Sequence, residues 1–145
     1  AGADGVILPD LPPEEAGKFL GFANAKSLDT IFLLAPTSTP DRIQMVGEAS
    51  KGFIYYVSLN GTTGTKEALA KNLEEKVSAI KDEVKLHVLE WFGISGPEQA
   101  KEAGQCSDGV IIGSAIVKLI ESHSDPVERD KKITEFISSI KTALN

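Results

Sequence analysis

The segments FGISGP (residues 92–97) and GSAIV (residues 113–117) decide the fold assignment, because each ends an apolar run and opens a helical segment. Two such strand-to-helix turns, placed side by side, would direct several backbone N–H groups and two helix N-termini at one place. That place would suit a phosphate, because unpaired N–H groups and the helix dipole both favour an anion. (β/α) barrels frequently bind a phosphate at the turns that follow their last two strands.

Apolar strand-like runs alternate with helical segments outward from these turns. Strands are predicted at residues 6–8, 30–35, 53–58, 84–91 and 109–112. Helices are predicted after Pro12-Pro13, from Thr39-Pro40-Asp41, through Leu69, Leu73, Val77 and Ile80, over residues 97–103, from Ser114, and through a final stripe of Ile133, Phe136, Ile137, Ile140 and Leu144. Continuous apolar strands between amphipathic helices indicate a parallel sheet covered by helices.

The lead-ins of the first and last strands, ADGVIL (residues 3–8) and SDGVII (residues 107–112), are similar. This echo favours a pseudo-symmetric barrel over an open doubly wound sheet. We therefore expect an α/β fold, a parallel (β/α) repeat forming a partial TIM-type barrel with about five βα units. Five units cannot close the usual barrel of eight strands and about 250 residues, so the remaining strands of a longer protein would precede Ala1.

Composition narrows the class of protein. The chain has 145 residues, 41% of them hydrophobic and 25% charged, which predicts one domain over residues 1–145 with a real core. A net charge of -6 argues against nucleic-acid binding. The single cysteine, Cys106, excludes an intramolecular disulfide and fits a reducing compartment. No apolar run approaches the roughly 18–20 residues that span a bilayer.

Four motifs together resemble the tryptophan synthase alpha chain. They are DLPPEE (residues 10–15), YYVS with GTTG (residues 55–58 and 61–64), FGIS (residues 92–95) and GSAIVK (residues 113–118), in the family's order and at similar spacings. The resemblance covers the later part of that family's barrel, from about the fourth strand onward. It implies a lyase of tryptophan biosynthesis that cleaves indole-3-glycerol phosphate to indole and glyceraldehyde 3-phosphate. It also implies no metal or organic cofactor, a beta-subunit partner, and a cytoplasmic location, or a plastid in a plant.

The resemblance assigns binding residues rather than catalytic ones. The family's catalytic carboxylates are expected before Ala1, so no catalytic residue is assigned here. The positions that match phosphate-binding residues are Gly64, Gly93, Gly113 and Ser114. The residues assigned to substrate binding are Tyr55, Thr63, Phe92 and Asp10. Tyr55 and Phe92 match residues near the substrate, Thr63 falls in the mobile loop that closes over it, and Asp10 matches a loop that also lies near the beta-subunit interface.

Plainer interpretations stand beside these assignments. Tyr55 and Tyr56 alternate across one strand, so one of them must face the helices, and we expect Tyr55 to face the site. Asp10 is equally well explained as a turn or helix-capping acid. Trp91 replaces the first glycine of the family's usual Gly-Phe-Gly; we interpret it as a packing residue, although its indole could fill the pocket. Glu90 is expected to add a negative charge near the anion site.

Two other hypotheses compete with the lyase. A catalytically inactive barrel fragment or scaffold would self-associate through its open strand edges. Another phosphate-binding barrel enzyme is also conceivable, although the motifs at residues 10–15 and 55–64 argue against it. His87 and His123 have no partner pattern for a metal, and Cys106, without an adjacent basic residue, is interpreted as inert.

Overall fold

The structure, a computed structural model, describes residues 2–58, 66–91 and 93–145, and for residues 66–70 it describes the backbone alone. Strands and helices alternate along the chain: β1 (Gly5–Ile7), α1 (Gly17–Ala25), β2 (Asp29–Ile31), β3 (Leu33–Leu34), α2 (Pro40–Ala49), β4 (Phe53–Val57), α3 (Lys66–Glu83), β5 (His87–Trp91), α4 (Pro97–Ala103), β6 (Gly109–Ile111), α5 (Ser114–Ser122) and α6 (Pro126–Leu144). Within the described ranges, no helix is long and apolar enough to cross a membrane.

Every strand pairing is parallel and follows chain order. β1 pairs with β2, and β3, β4, β5 and β6 form a four-stranded sheet in that order. The single strand predicted over residues 30–35 is divided at Phe32 into β2 and β3. The Phe32 carbonyl still accepts a hydrogen bond from the Tyr55 N–H of β4 at 3.2 Å, so the chain stays paired with β4 at the break. The predicted parallel α/β repeat is therefore confirmed, and the second strand is corrected.

The strand predicted from residue 84 begins instead at His87. The Val84 N–H still donates to the Ile80 carbonyl at 2.9 Å, so Val84 closes the end of α3. Its side chain is buried in the core. Val84 therefore packs at the end of α3 and is not part of the sheet.

Helix starts follow the capping chemistry of the sequence. Thr39 Oγ1 accepts from the Arg42 N–H at 3.3 Å, directly before Pro40 opens α2. Asp125 Oδ1 accepts from the Glu128 N–H at 2.8 Å at the start of α6. Each cap satisfies an N–H group that the first turn of a helix leaves unpaired.

The outer face of the sheet carries two hydrophobic clusters beneath the helices. The larger core is made of Ala16, Phe32, Leu34, Ile43, Val46, Ile54, Tyr56, Val77, Ile80, Val84 and Val88. The smaller core is made of Ile94, Ala100, Ala103 and Ile140, with Val110, Ile112 and Phe136 packed against it. The predicted helical stripes thus reach the core, although Ile137 of the last stripe is 49% exposed.

The opposite, inner face of the sheet is only partly covered by the described residues. Because side chains alternate along a strand, Tyr55 and Val57 of β4 point away from the helix-covered core, as do Leu89 and Trp91 of β5. These four residues define the inner face of the two central strands. Trp91 is 37% exposed there, so this apolar face borders open space in the described part of the chain.

Candidate functional site

Gly93 and Gly113 lie at the same edge of the sheet. Trp91 of β5 is paired in register with Ile111 of β6, and each glycine follows its strand by two residues. The strands are parallel, so both chains leave the sheet at its carboxyl end and enter α4 and α5 there. Ligands of parallel α/β proteins bind at this edge. The register thus brings together two of the turns that the sequence singled out.

Gly93 adopts a backbone conformation that favours glycine. Its φ of +53° lies in the left-handed region, and no heavy atom of the described residues other than its chain neighbours would lie within 4 Å of a Cβ added there. The requirement for glycine is therefore conformational and not steric. Among the described residues, the space around this position leaves room for an incoming group.

Gln99 supports the turn after Gly93, a contact that the sequence gave no reason to expect. The Ser95 N–H and the Ser95 hydroxyl both donate to Gln99 Oε1, at 2.7 Å and 2.8 Å. Gln99 lies in α4, and Ser95 lies between Gly93 and the start of that helix. A side chain in the first turn of α4 thus orders the segment that leads into that helix.

The N-terminus of α5 faces the same edge. The N–H groups of Ile116 and Val117 both donate to the Gly113 carbonyl, at 3.0 Å and 3.1 Å. The Ser114 and Ala115 N–H groups precede these bonds, in the part of a helix that has no internal acceptor. Ser114 is exposed, and no side chain caps the helix. The helix start therefore offers backbone donors, a hydroxyl and a favourable dipole to an anion.

The two tyrosines of β4 are separated by the pleat. Tyr56 is buried in the larger core, and burial, followed by the negative charges of Glu90 and Cys106, raises its pKa to about 12. Tyr55 lies on the inner face, in register with Leu89. Burial also raises the pKa of Tyr55, so its hydroxyl stays a proton donor at neutral pH. The structure thus places Tyr55, not Tyr56, on the face away from the helices.

Glu90 and Trp91 both differ from expectation. The Glu90 side chain is fully buried beneath the helices, on the face opposite Trp91, so the expected negative charge beside the anion site is wrong. Burial raises the pKa of this carboxyl, and a hydrogen bond from Ser58 partly opposes that effect. Trp91 is more than a third exposed, so its interpretation as a packing residue is wrong for the part of the chain described.

Asp10 lies apart from the two glycine turns. It is exposed in the loop after β1, and β1 is at the far side of the strand order from β6. It lines a shallow cavity of about 130 Å³ together with Leu11 and Arg42. Arg42 is itself paired with Glu14 at 2.5 Å. Asp10 therefore lies at the carboxyl end of its strand, as Gly93 does, but β2, β3 and β4 stand between β1 and β5 in the strand order.

Three of the residues assigned from the sequence, Thr63, Gly64 and Phe92, lie outside the described residues. Among the residues that are described, no group of three or more His, Cys, Asp or Glu side chains could hold a metal ion. Burial, followed by the charge of Glu90, raises the pKa of the Cys106 thiol, in agreement with its interpretation as an inert residue.

The fold and the edge define a class of protein: a parallel (β/α)-repeat chain with glycine turns at the carboxyl ends of its last two strands. The family model described as "Tryptophan synthase alpha chain" matches residues 1–145, and the chain belongs to that family. A curated tryptophan synthase alpha chain from Pelobacter propionicus is 42% identical over 144 residues, covering 99% of this chain and 54% of the relative. Its counterpart from Geobacter sulfurreducens is 43% identical, with the same coverage.

Solved structures agree with this assignment. Tryptophan synthase subunit alpha from Legionella pneumophila str. Paris superposes with a TM-score of 0.80 at 32% identity, covering 99% of this chain and 52% of that one. The aminoacrylate- and BRD0059-bound tryptophan synthase from M. tuberculosis gives a TM-score of 0.80 at 31% identity, covering 97% and 50%. The chain thus spans about half the length of the relatives that it matches.

Proposed function

We propose that this chain supplies the phosphate-holding part of a tryptophan synthase alpha-type lyase, which cleaves indole-3-glycerol phosphate to indole and glyceraldehyde 3-phosphate. The proposal is supported by membership of the family and by the geometry of one edge of the sheet. In this assignment the chain is the later part of a (β/α)8 barrel. The acid and base of the retro-aldol step are not assigned to any residue of this chain.

The observation that carries the proposal is the convergence of two turns at the carboxyl ends of β5 and β6. Gly93, in its left-handed conformation, presents backbone in open space, and α5 presents free N–H groups beside the Ser114 hydroxyl. A phosphate held there would be bound by backbone donors and a helix dipole. Those donors need no basic side chain, which agrees with the acidic balance of the chain.

Phosphate binding would serve the reaction by anchoring the end of the substrate that does not react. Binding energy from such a remote group orients the reacting bond and is spent on reaching the transition state. Tyr55, with its protonated hydroxyl on the inner face, is proposed to line the path from the phosphate to the indole end. Thr63, Gly64 and Phe92 complete the proposed substrate-contacting set by family resemblance.

Glycerol 3-phosphate is the probe that tests the site without the chemistry. We expect saturable binding by calorimetry, weakened by Ser114→Ala about fivefold through the loss of one hydrogen bond. Ser122→Ala is the matched control, because Ser122 lies at the other end of α5 and its hydroxyl donates to the Lys118 carbonyl at 2.7 Å. Absence of binding at millimolar glycerol 3-phosphate, or equal losses in both variants, would refute the proposal.

A second candidate function is a self-associating, catalytically inactive scaffold. It is favoured by the exposure of large apolar side chains on the inner face and at the edge strand, where Ile7 is 41% exposed and Trp91 37%. Sedimentation equilibrium across a hundredfold range of concentration distinguishes the two. A concentration-dependent dimer that glycerol 3-phosphate does not affect would favour the scaffold.

We further propose that the loop containing Asp10 meets a tryptophan synthase beta subunit. Asp10 is exposed and is separated from the glycine turns by several strands, as a contact residue beside the phosphate site would be. We expect Asp10→Ala to weaken co-sedimentation with a beta subunit. Asp4→Ala is the matched control, since Asp4 is an exposed acid just before β1, at its other end; equal effects of both variants would contradict the assignment.

A further inference from the structure

A pair of polar side chains, Ser58 and Glu90, joins the ends of β4 and β5. The Ser58 hydroxyl lies 2.6 Å from Glu90 Oε1 and 3.5 Å from the Trp91 carbonyl oxygen. The Glu90 side chain is fully buried, and its Oε2 has no hydrogen-bond partner among the described residues. Strand register explains the meeting, because Val57 pairs with Trp91 and Ser58 follows directly.

One hydroxyl proton serves two acceptors in this arrangement. When Glu90 is ionised, the Ser58 proton goes to the carboxylate, because a charge-assisted hydrogen bond is the stronger one. The Trp91 carbonyl then loses its donor. When Glu90 is neutral, its own carboxyl proton can be donated to Ser58 Oγ, which frees the Ser58 proton for the Trp91 carbonyl. The protonation of one buried carboxyl therefore decides whether the Trp91 carbonyl gains a hydrogen bond from Ser58 in addition to the strand pairing of Trp91 with Val57.

The surroundings of Glu90 favour its neutral form. Burial raises the pKa of Glu90, and the hydrogen bond from Ser58 opposes this. The titratable neighbours on the covered face are Tyr56 of β4 and the Cys106 thiol after α4, both with raised pKa values and so neutral in the physiological range.

The charged side chains of the covering helices turn outward. In α4 the exposed charges are Glu98, Lys101 and Glu102. In α3, from residue 71 onward, the charged side chains are likewise exposed, Glu74 among them, and Lys81 is paired with Asp108 at 2.6 Å beside the start of β6. No cation in this set is placed to compensate a charge on Glu90.

We propose that Glu90 is a positioning residue for the phosphate-holding turn: as a neutral acid it lets Ser58 donate to the Trp91 carbonyl, which adds a hydrogen bond at the strand end that leads to Gly93, and on ionisation it removes that hydrogen bond. The inference rests on the proposed function, because it names a residue that sets the geometry of the same site. Gly93 follows the Trp91 carbonyl by two residues and has its own demanding backbone conformation. Gln99 holds the far side of the turn through Ser95, and the Ser58 hydrogen bond acts on the near side, where Trp91 also pairs with Val57 and Ile111.

The binding test compares dissociation constants of glycerol 3-phosphate for the 145-residue chain and its Glu90→Gln variant between pH 5 and 9. The ratio cancels the ionisation of the ligand, which is common to both proteins. We expect the wild-type-to-variant ratio to rise roughly fivefold with pH, the effect of losing one hydrogen bond. Ser58→Ala should abolish this rise. Ser50→Ala, which removes another buried hydroxyl, should leave it intact. A ratio that is flat with pH, or unchanged by Ser58→Ala, would overturn the proposal.

A second measurement separates this proposal from the proposed function. In the ligand-free protein, the Gly93 amide signal in NMR spectra should move with the midpoint of the Glu90 carboxyl carbon, and should stop moving in Glu90→Gln and Ser58→Ala. A Gly93 signal that is indifferent to Glu90 overturns the positioning role even where phosphate binds. Coupled titration without any binding of glycerol 3-phosphate upholds the positioning of Gly93 and refutes the proposed function.

Discussion

Replacing Gly93 by residues with a Cβ tests the backbone conformation on which the candidate site depends. The φ of +53° is costly for residues other than glycine, and asparagine tolerates it better than alanine or a β-branched residue. We therefore expect stability to fall in the order Gly, Asn, Ala, Val at this position.

The magnitude follows from the absence of any clash. No heavy atom of the described residues beyond the chain neighbours lies within 4 Å of the added Cβ, so we attribute the cost of Gly93→Ala to backbone strain, about 1–2 kcal/mol. Gly21→Ala in the middle of α1 makes the same chemical change, also with no atom within 4 Å. It should stabilise the protein by about 0.8–1 kcal/mol, because alanine is the better helix former. The same glycine-to-alanine change is thus expected to destabilise the protein at residue 93 and to stabilise it at residue 21, because the backbone conformation differs between the two positions.

Urea denaturation followed by circular dichroism measures both effects. With a slope of about 2 kcal/mol per molar urea, Gly93→Ala should lower the midpoint by roughly 0.5–1 M, and Gly21→Ala should raise it by about 0.4–0.5 M. A Gly93→Ala protein as stable as wild type would refute the left-handed conformation. So would an asparagine variant that loses as much stability as the valine variant.

Three further substitutions test contacts elsewhere in the fold. Ile54→Ala should cost about 2–5 kcal/mol in urea denaturation, because Ile54 is fully buried in the larger core; a loss below 1 kcal/mol would contradict that packing. Thr39→Ala should cost about 1 kcal/mol through loss of its helix cap, with no change in the denaturation slope. Asp108 accepts from Lys81 and from the Val88 N–H; these bonds and nearby positive charges outweigh burial and lower the pKa of Asp108 below its ordinary 3.8. Its stabilisation is therefore full above pH 3.8 and lost as pH falls through the lowered value, so Asp108→Asn should be less stable than wild type at pH 6 and closer to it at pH 2. A constant difference between the two proteins across that range would show that Asp108 stabilises by packing alone.

Periodicity predicted the elements and the core because it reports burial directly. The helical spacing of Val77 and Ile80 and the sharp Thr39-Pro40 start were both confirmed, since they depend on neighbours close in the chain. The break at Phe32 was missed, because it depends on how the neighbouring strand pairs and not on any local breaker residue.

The errors at the candidate site have a common physical origin. Glu90 shares its strand parity with the buried Val88, so alternation alone placed it on the helix-covered face, whereas its charge was expected near the anion site. Its partner Ser58 is 32 residues away, and sequence spacing carries no information about such a contact. Asp108, which joins the starts of two strands, was overlooked for the same reason. The sequence therefore predicted contacts between residues close in the chain, but not polar contacts between different strands.

The division of the outer face into two cores has a consequence for how the molecule opens. The smaller core holds four buried residues beneath α4 and α6, whereas the larger one lies under most of the sheet. Units with less buried apolar surface open more often, so amide hydrogen exchange should be faster in α4 and α6 than in β4. Ile94 of the smaller core directly follows Gly93. A ligand bound at that turn would therefore slow exchange mainly in the less stable unit, and the slowing would measure its affinity.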